Sequence, residues 1–76
     1  MKDVLIYIIQ SLVEFPDQVT VTESEKDGEI VFEVRVAQSD MGKIIGRQGR
    51  IAKAIRTLMK AAASRENARV NVVIAE

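Results

Sequence analysis

A Gly-x-x-Gly step, Gly46-Arg47-Gln48-Gly49, stands between two segments of helical periodicity, so the chain must turn sharply there and cannot continue as one straight helix. Glycine adopts left-handed backbone without steric cost and leaves bare peptide N–H groups open to an approaching anion, where a β-carbon would intrude. Arg47, Arg50 and Lys53 add positive charge around the same turn, a combination that suits phosphate oxygens. The preceding helix is short and ends at about Ile45, with Ser39 expected to cap its first turn and Asp40 favourable at its positive end. The following helix, from Gly49 to about Ala63, places Ile51, Ala54, Ile55, Leu58 and Ala62 on one stripe and Lys53, Arg56 and Lys60 on the opposite side.

The remaining segments alternate in type. Val4, Leu5, Ile8, Ile9, Leu12 and Val13 recur at helical spacing and predict an amphipathic helix over residues 3–14, closed by Phe15 and Pro16. Val19 and Val21 alternate with Thr20 and Thr22 in a first strand, Asp27-Gly28 predicts a hairpin turn, and a returning strand pairs antiparallel with the first. In that second strand Ile30, Phe32, Val34 and Val36 point one way and Val31, Glu33 and Arg35 the other. A last strand, Val70 to Ile74, turns Val70, Val72 and Ile74 inward. The expected fold class is α+β, in the order α-β-β-α-α-β. Helices cover one face of a three-stranded sheet in a two-layer sandwich, and the other face is open and mostly polar.

Seventy-six residues suffice for a single domain, residues 1–76, near the lower limit at which one core supports a fold. Cysteine is absent, which excludes disulfides and thiolate metal sites. Histidine is absent as well, so there is no imidazole base or ligand, and no enzyme activity or cofactor is expected. Phosphate-loop templates fail too, since no Gly-Lys-Ser/Thr follows and no Gly-x-Gly-x-x-Gly occurs. No apolar run reaches the roughly 18 residues of a membrane span, and from Met1-Lys2-Asp3 a secretory leader is not expected. A cytoplasmic location is the resulting expectation. The formal net charge is +0, yet it conceals a segregation. Residues 1–37 carry three basic against eight acidic residues, and residues 38–76 carry eight against three. One basic face is expected, and local field, not net charge, governs polyanion binding.

Ile44-Ile45-Gly46-Arg47-Gln48-Gly49-Arg50-Ile51 resembles the signature of KH domains, and the element order matches the bacterial type II form of that fold. The likeness extends over the chain, through Phe15-Pro16-Asp17, the Asp40-Met41-Gly42-Lys43 lead-in and the Arg50-to-Thr57 helix, and is to small stand-alone bacterial KH proteins of the KhpA type. The resemblance implies an RNA-binding protein of broad specificity, an RNA chaperone or post-transcriptional regulator, in a family linked to cell elongation and division. It implies a homodimer or a heteromer with a larger KH protein of the KhpB (Jag) type. Carried over residue by residue, Gly46 and Gly49 shape the clamp, Arg47 and Gln48 sit at its tip, and Arg50 and Lys53 flank the path of single-stranded RNA. Lys43 and Arg56 are further candidates. Ile44 is a candidate groove contact, whereas Ile45 and Ile51 are expected to pack in the core. With Tyr7, Phe15 and Phe32 as the aromatic complement, a stacking platform of the RRM or OB type is not expected. The rival reading is a protein-interaction module with weak or vestigial RNA binding, and single-stranded DNA is a second alternative because phosphate contacts do not identify the sugar.

Overall fold

The computed structural model describes residues 1–75, apart from the side chain of Arg47. Helix α1 (Lys2–Leu12) leads through a 3-10 turn (Pro16–Gln18) into strands β1 (Thr20–Lys26) and β2 (Glu29–Arg35), then helix α2 (Gln38–Arg65) and strand β3 (Val70–Ala75). The sheet order is β1-β2-β3, with β1 antiparallel and β3 parallel to β2. A tight turn suffices for the antiparallel pair, and Asp27 (φ 54°) and Gly28 (φ 78°) supply the positive backbone angles of a hairpin. The parallel pair needs a long crossover, which α2 provides.

Helix α2 is one helical run of 28 residues, but Gln48 (φ 63°) and Gly49 (φ 68°) lie in the left-handed region. Two successive left-handed residues break a right-handed helix into two arms. The expected order α-β-β-α-α-β therefore holds, with the turn placed inside α2.

Alternation in β2 and β3 works as the period of two requires: Phe32, Val34, Val70 and Val72 are buried against the helices. Leu5 and Ile9 from α1, and Ile44, Ile55 and Met59 from α2, complete the core, all of them inaccessible or nearly so. Each such side chain contributes about 1.5 to 3 kcal/mol by leaving water. On the opposite face Thr20, Thr22, Glu33, Arg35 and Asn71 meet solvent or one another, and Arg35 Nη2 pairs with Glu33 Oε1 at 3.0 Å.

Both helical stripes differ from the sequence expectation. In α1, Leu5 and Ile9 are buried while Val4 and Leu12 are 52% and 43% exposed, and the helix ends at Leu12 instead of residue 14. The second arm of α2 buries Ala52, Ile55, Met59 and Ala63, leaving Leu58 54% exposed and Ala54 at the surface. Two overlapping apolar stripes share Ile55, and the one holding Ala52, Met59 and Ala63 faces the sheet. The chosen stripe carries alanines at 52 and 63, which allow close approach, and Met59, which fills the space over the strands.

Ser39 does not cap α2. The cap position is Ala37, without a side-chain hydrogen bond. Asp40 instead turns inward, fully buried, and its carboxylate accepts the backbone N–H groups of Glu14 (3.0 Å) and Phe15 (3.1 Å). The end of α1 is thereby fastened to the first turn of α2.

Candidate nucleic-acid interface

Asp40 sets the phase of the first arm of α2. A residue four positions on lies on the same helix face, so Ile44 follows Asp40 into the core and is 0% exposed, while Ile45 emerges at 44%. The two isoleucines thus exchange the places expected of them. Ile44 is a packing residue in this structure, and Ile45 presents its side chain beside the loop. Ile51, on the far side of the loop, is half-buried.

The opposite phase of the same arm brings Ser39, Gly42 and Gly46 to one surface. With Leu12 of α1, Lys43 and Ile51 they line an open groove of about 490 Å³. Its glycine wall lets a ligand backbone approach closely, and Leu12 and Ile51 give it apolar sides. Sequence reasoning missed Leu12, Ser39 and Gly42 as groove residues. The four-residue spacing of Gly42 and Gly46 was the available signal, whereas Leu12 reaches the site through the fold.

The two loop glycines have different physical roles. Gly49 takes a positive φ that a side chain resists. Gly46 has ordinary helical backbone, and an added β-carbon would meet nothing within 4 Å. The fold does not require glycine at position 46. We predict that Gly46→Ala raises stability by about 0.5 to 1 kcal/mol, whereas Gly49→Ala lowers it by about 1 to 2 kcal/mol. Urea unfolding of the two variants distinguishes them, and equal shifts would contradict this division. Gln48 bears the same left-handed strain without glycine's freedom, which holds its exposed side chain at the apex of the turn.

The cations divide as well. Arg50 and Lys53 are exposed, and no ion pair among the described residues engages either. Lys43 lies against the groove but pairs with Glu14 at 3.0 Å. Arg56 is tied down, its Nε donating to the Val72 carbonyl at 3.1 Å, so it braces α2 against β3. The side chain of Arg47, expected at the clamp tip, lies outside the described residues. Gly46, Gln48, Gly49, Arg50 and Lys53 are therefore grouped around the turn, Lys43 borders it in an ion pair, and Ile44 and Arg56 serve the scaffold. Among the described residues no cluster of carboxylates suits a metal ion, and no helix is long and apolar enough to cross a membrane.

A two-layer α-β-β-α-α-β sandwich with a mixed three-stranded sheet and a Gly-x-x-Gly break between helical arms is a KH domain of type II topology. The chain belongs to the KhpA/KhpB KH-domain family, whose model matches residues 2–74. It is 57% identical over 74 residues to the RNA-binding protein KhpA of Clostridium acetobutylicum, covering 97% of this chain and 99% of that protein. The RNA-binding protein KhpA of Chlamydia caviae is 49% identical over 76 residues, covering 100% and 97% of the two chains. The RNA-binding protein KhpA of Listeria monocytogenes is 40% identical over 76 residues and matches over the full length of both.

Proposed function

We propose that this domain grips single-stranded RNA by its sugar-phosphate backbone, without catalysis. The loop Gly46–Gly49 is the clamp, and the groove lined by Gly42, Gly46, Leu12 and Ile51 receives the splayed bases. One observation carries the reading: Gly46 sits in helical backbone with open space where its side chain would be, so its absent β-carbon serves an approaching ligand and not the fold. Backbone N–H groups at the turn, Arg47, Arg50 and Lys53 meet phosphate, and Gln48 reaches phosphate or a 2′-hydroxyl. The apolar sides of the groove give modest base discrimination. Relatives named as RNA-binding proteins support RNA over DNA.

With roughly three phosphates neutralised, log affinity falls against log salt with a slope of about −2. One such domain binds weakly, and two in one assembly bind more tightly through effective concentration. A second copy or a larger KH protein of the KhpB type is the proposed partner, for which Val4, Tyr7 and Leu58 offer exposed apolar surface. The proposed setting is the cytoplasm, in RNA chaperoning or post-transcriptional regulation.

The test is fluorescence anisotropy on labelled single-stranded RNA, with wild type beside an Arg47→Asp, Gln48→Asp variant whose fold is verified by circular dichroism. Both substitutions spare the glycines and put acid where phosphate would sit. We expect binding by wild type and at least a tenfold loss in the variant. Equal binding, or none by wild type, transfers the chain to the interaction-module reading.

A further inference from the structure

The basic flank of α2 continues beyond the clamp. The Arg56 hydrogen bond to Val72 fixes which flank of α2 adjoins β3, and helical spacing puts Lys53 and Lys60 on that flank with Arg56. Lys60 lies about 16 Å along the helix from Gly49 at 1.5 Å per residue. There it meets Arg69 at the corner where α2 gives way to β3. A cavity of about 300 Å³ opens at this corner, lined by Glu29, Lys60, Ala63, Ala68, Arg69 and Val70. That volume lies at the lower end of the range for small-molecule pockets.

The lining is chemically mixed in an informative way. Lys60 and Arg69 are both exposed, and no ion pair among the described residues engages either, although Glu29 shares their cavity. Ala68 is half-buried and, with the aliphatic stems of Lys60 and Arg69, gives the cavity its accessible apolar surface, while Ala63 and Val70 lie beneath it in the core. Two unpaired cations suit a phosphate. Glu29, half-buried, is an acceptor without a donor of its own when ionised.

We propose that this corner is a second nucleotide site on the same single-stranded RNA, which runs from the clamp along the basic flank of α2. The inference rests on the clamp reading above. Lys60 and Arg69 hold a phosphate, the base lies against Ala68 and the Arg69 stem, and Glu29 accepts from its exocyclic amine. Cytosine, adenine and guanine carry such an amine, and uracil has carbonyl oxygens in place of one. The site therefore favours an amine-bearing base over uracil. At about 3.4 Å per stacked phosphate the corner is about five nucleotides beyond the clamp, outside the four that a KH loop holds.

Length dependence tests the proposal. Anisotropy is measured at 0.15 M salt on a tetranucleotide, a twelve-nucleotide oligocytidine and a twelve-nucleotide oligouridine. The proteins are wild type, Lys60→Gln with Arg69→Gln, Glu29→Gln, and the clamp variant, each checked by thermal unfolding. At this salt the screening length of about 8 Å is half the distance from corner to clamp. The Lys60/Arg69 variant should bind the tetranucleotide within about twofold of wild type. It should lose about tenfold on oligocytidine, with a salt slope shallower by about 0.7 for the one lost phosphate. Glu29→Gln should abolish the preference for oligocytidine over oligouridine. If wild type binds both lengths and the Lys60/Arg69 variant matches it on both, or loses both equally, the second site is refuted and the clamp stands. If Glu29→Gln leaves the base preference intact, the assignment of the carboxylate is refuted. If wild type binds no RNA, or the clamp variant binds as wild type does, the clamp reading falls and this inference with it.

Discussion

Replacing Asp40 by alanine lowers the stability of the domain by about 3 kcal/mol. The carboxylate is fully buried and accepts the Glu14 and Phe15 N–H groups at 3.0 and 3.1 Å. Hydrogen bonds to an ionised group contribute about 1.5 to 3 kcal/mol each, and removing the acceptor leaves two donors in a part-buried corner without their partner. Against a total of about 4 to 11 kcal/mol for a chain of this length, the loss is large. Asp40→Asn separates the two contributions, since its amide keeps one acceptor oxygen and turns an N–H₂ group toward the other donor. It should fall between wild type and the alanine variant. Urea unfolding is the measurement, with a midpoint lower by about 2 to 3 M at a slope near 1 kcal/mol/M. A change below 0.5 kcal/mol in Asp40→Ala would mean that water replaces the carboxylate at no cost, and that α1 and α2 are joined by packing alone.

Phe32→Ala costs more, about 4 kcal/mol. Phe32 is 1% exposed and sits mid-sheet, between Glu23 of β1 and Val72 of β3 in the register. Its side chain packs within the cluster that includes Leu5, Ile9, Ile44, Ile55 and Met59. Truncation removes the transfer free energy of the ring and leaves a cavity that the strands cannot close, because their register holds the backbone in place. The variant approaches the midpoint of unfolding without denaturant, visible as a broad thermal transition beginning near room temperature. Phe32→Leu retains most of the volume and should cost less than half as much. A cooperative transition in Phe32→Ala within 1 kcal/mol of wild type would place the centre of the core elsewhere.

The strands were legible because a period of two leaves one choice of face. Phe32, Val34, Val70 and Val72 are buried as alternation requires. Helix phase was less legible. The sequence offers two stripes through Ile55, and the one holding Met59 is the one that packs on the sheet. Ile44 and Ile45 changed places for a related reason, since the inward turn of Asp40 sets the phase of that arm, and its partners lie 25 and 26 residues away in sequence. The Gly-x-x-Gly step announced the turn itself, because glycine spacing is local. The differing needs of Gly46 and Gly49 appear when backbone angles and the space around each are known. The charge asymmetry was also readable, but which cations are engaged was not: Lys43 and Arg56 look alike as helix-surface residues, and each has a partner outside α2.

The bond from Arg56 to Val72 also bears on how copies of this chain can meet. β1 and β3 are the outer strands of the sheet, and an outer strand invites another chain to continue the ladder. Along β3 the guanidinium already occupies the Val72 carbonyl. Along β1, Glu23 and Glu25 share the side of Val21 but remain exposed, so an apolar strand pairing there would have to lay its covered face beside carboxylates. Runaway stacking of sheet edge upon sheet edge is thereby opposed at both borders of a small, staple-free domain.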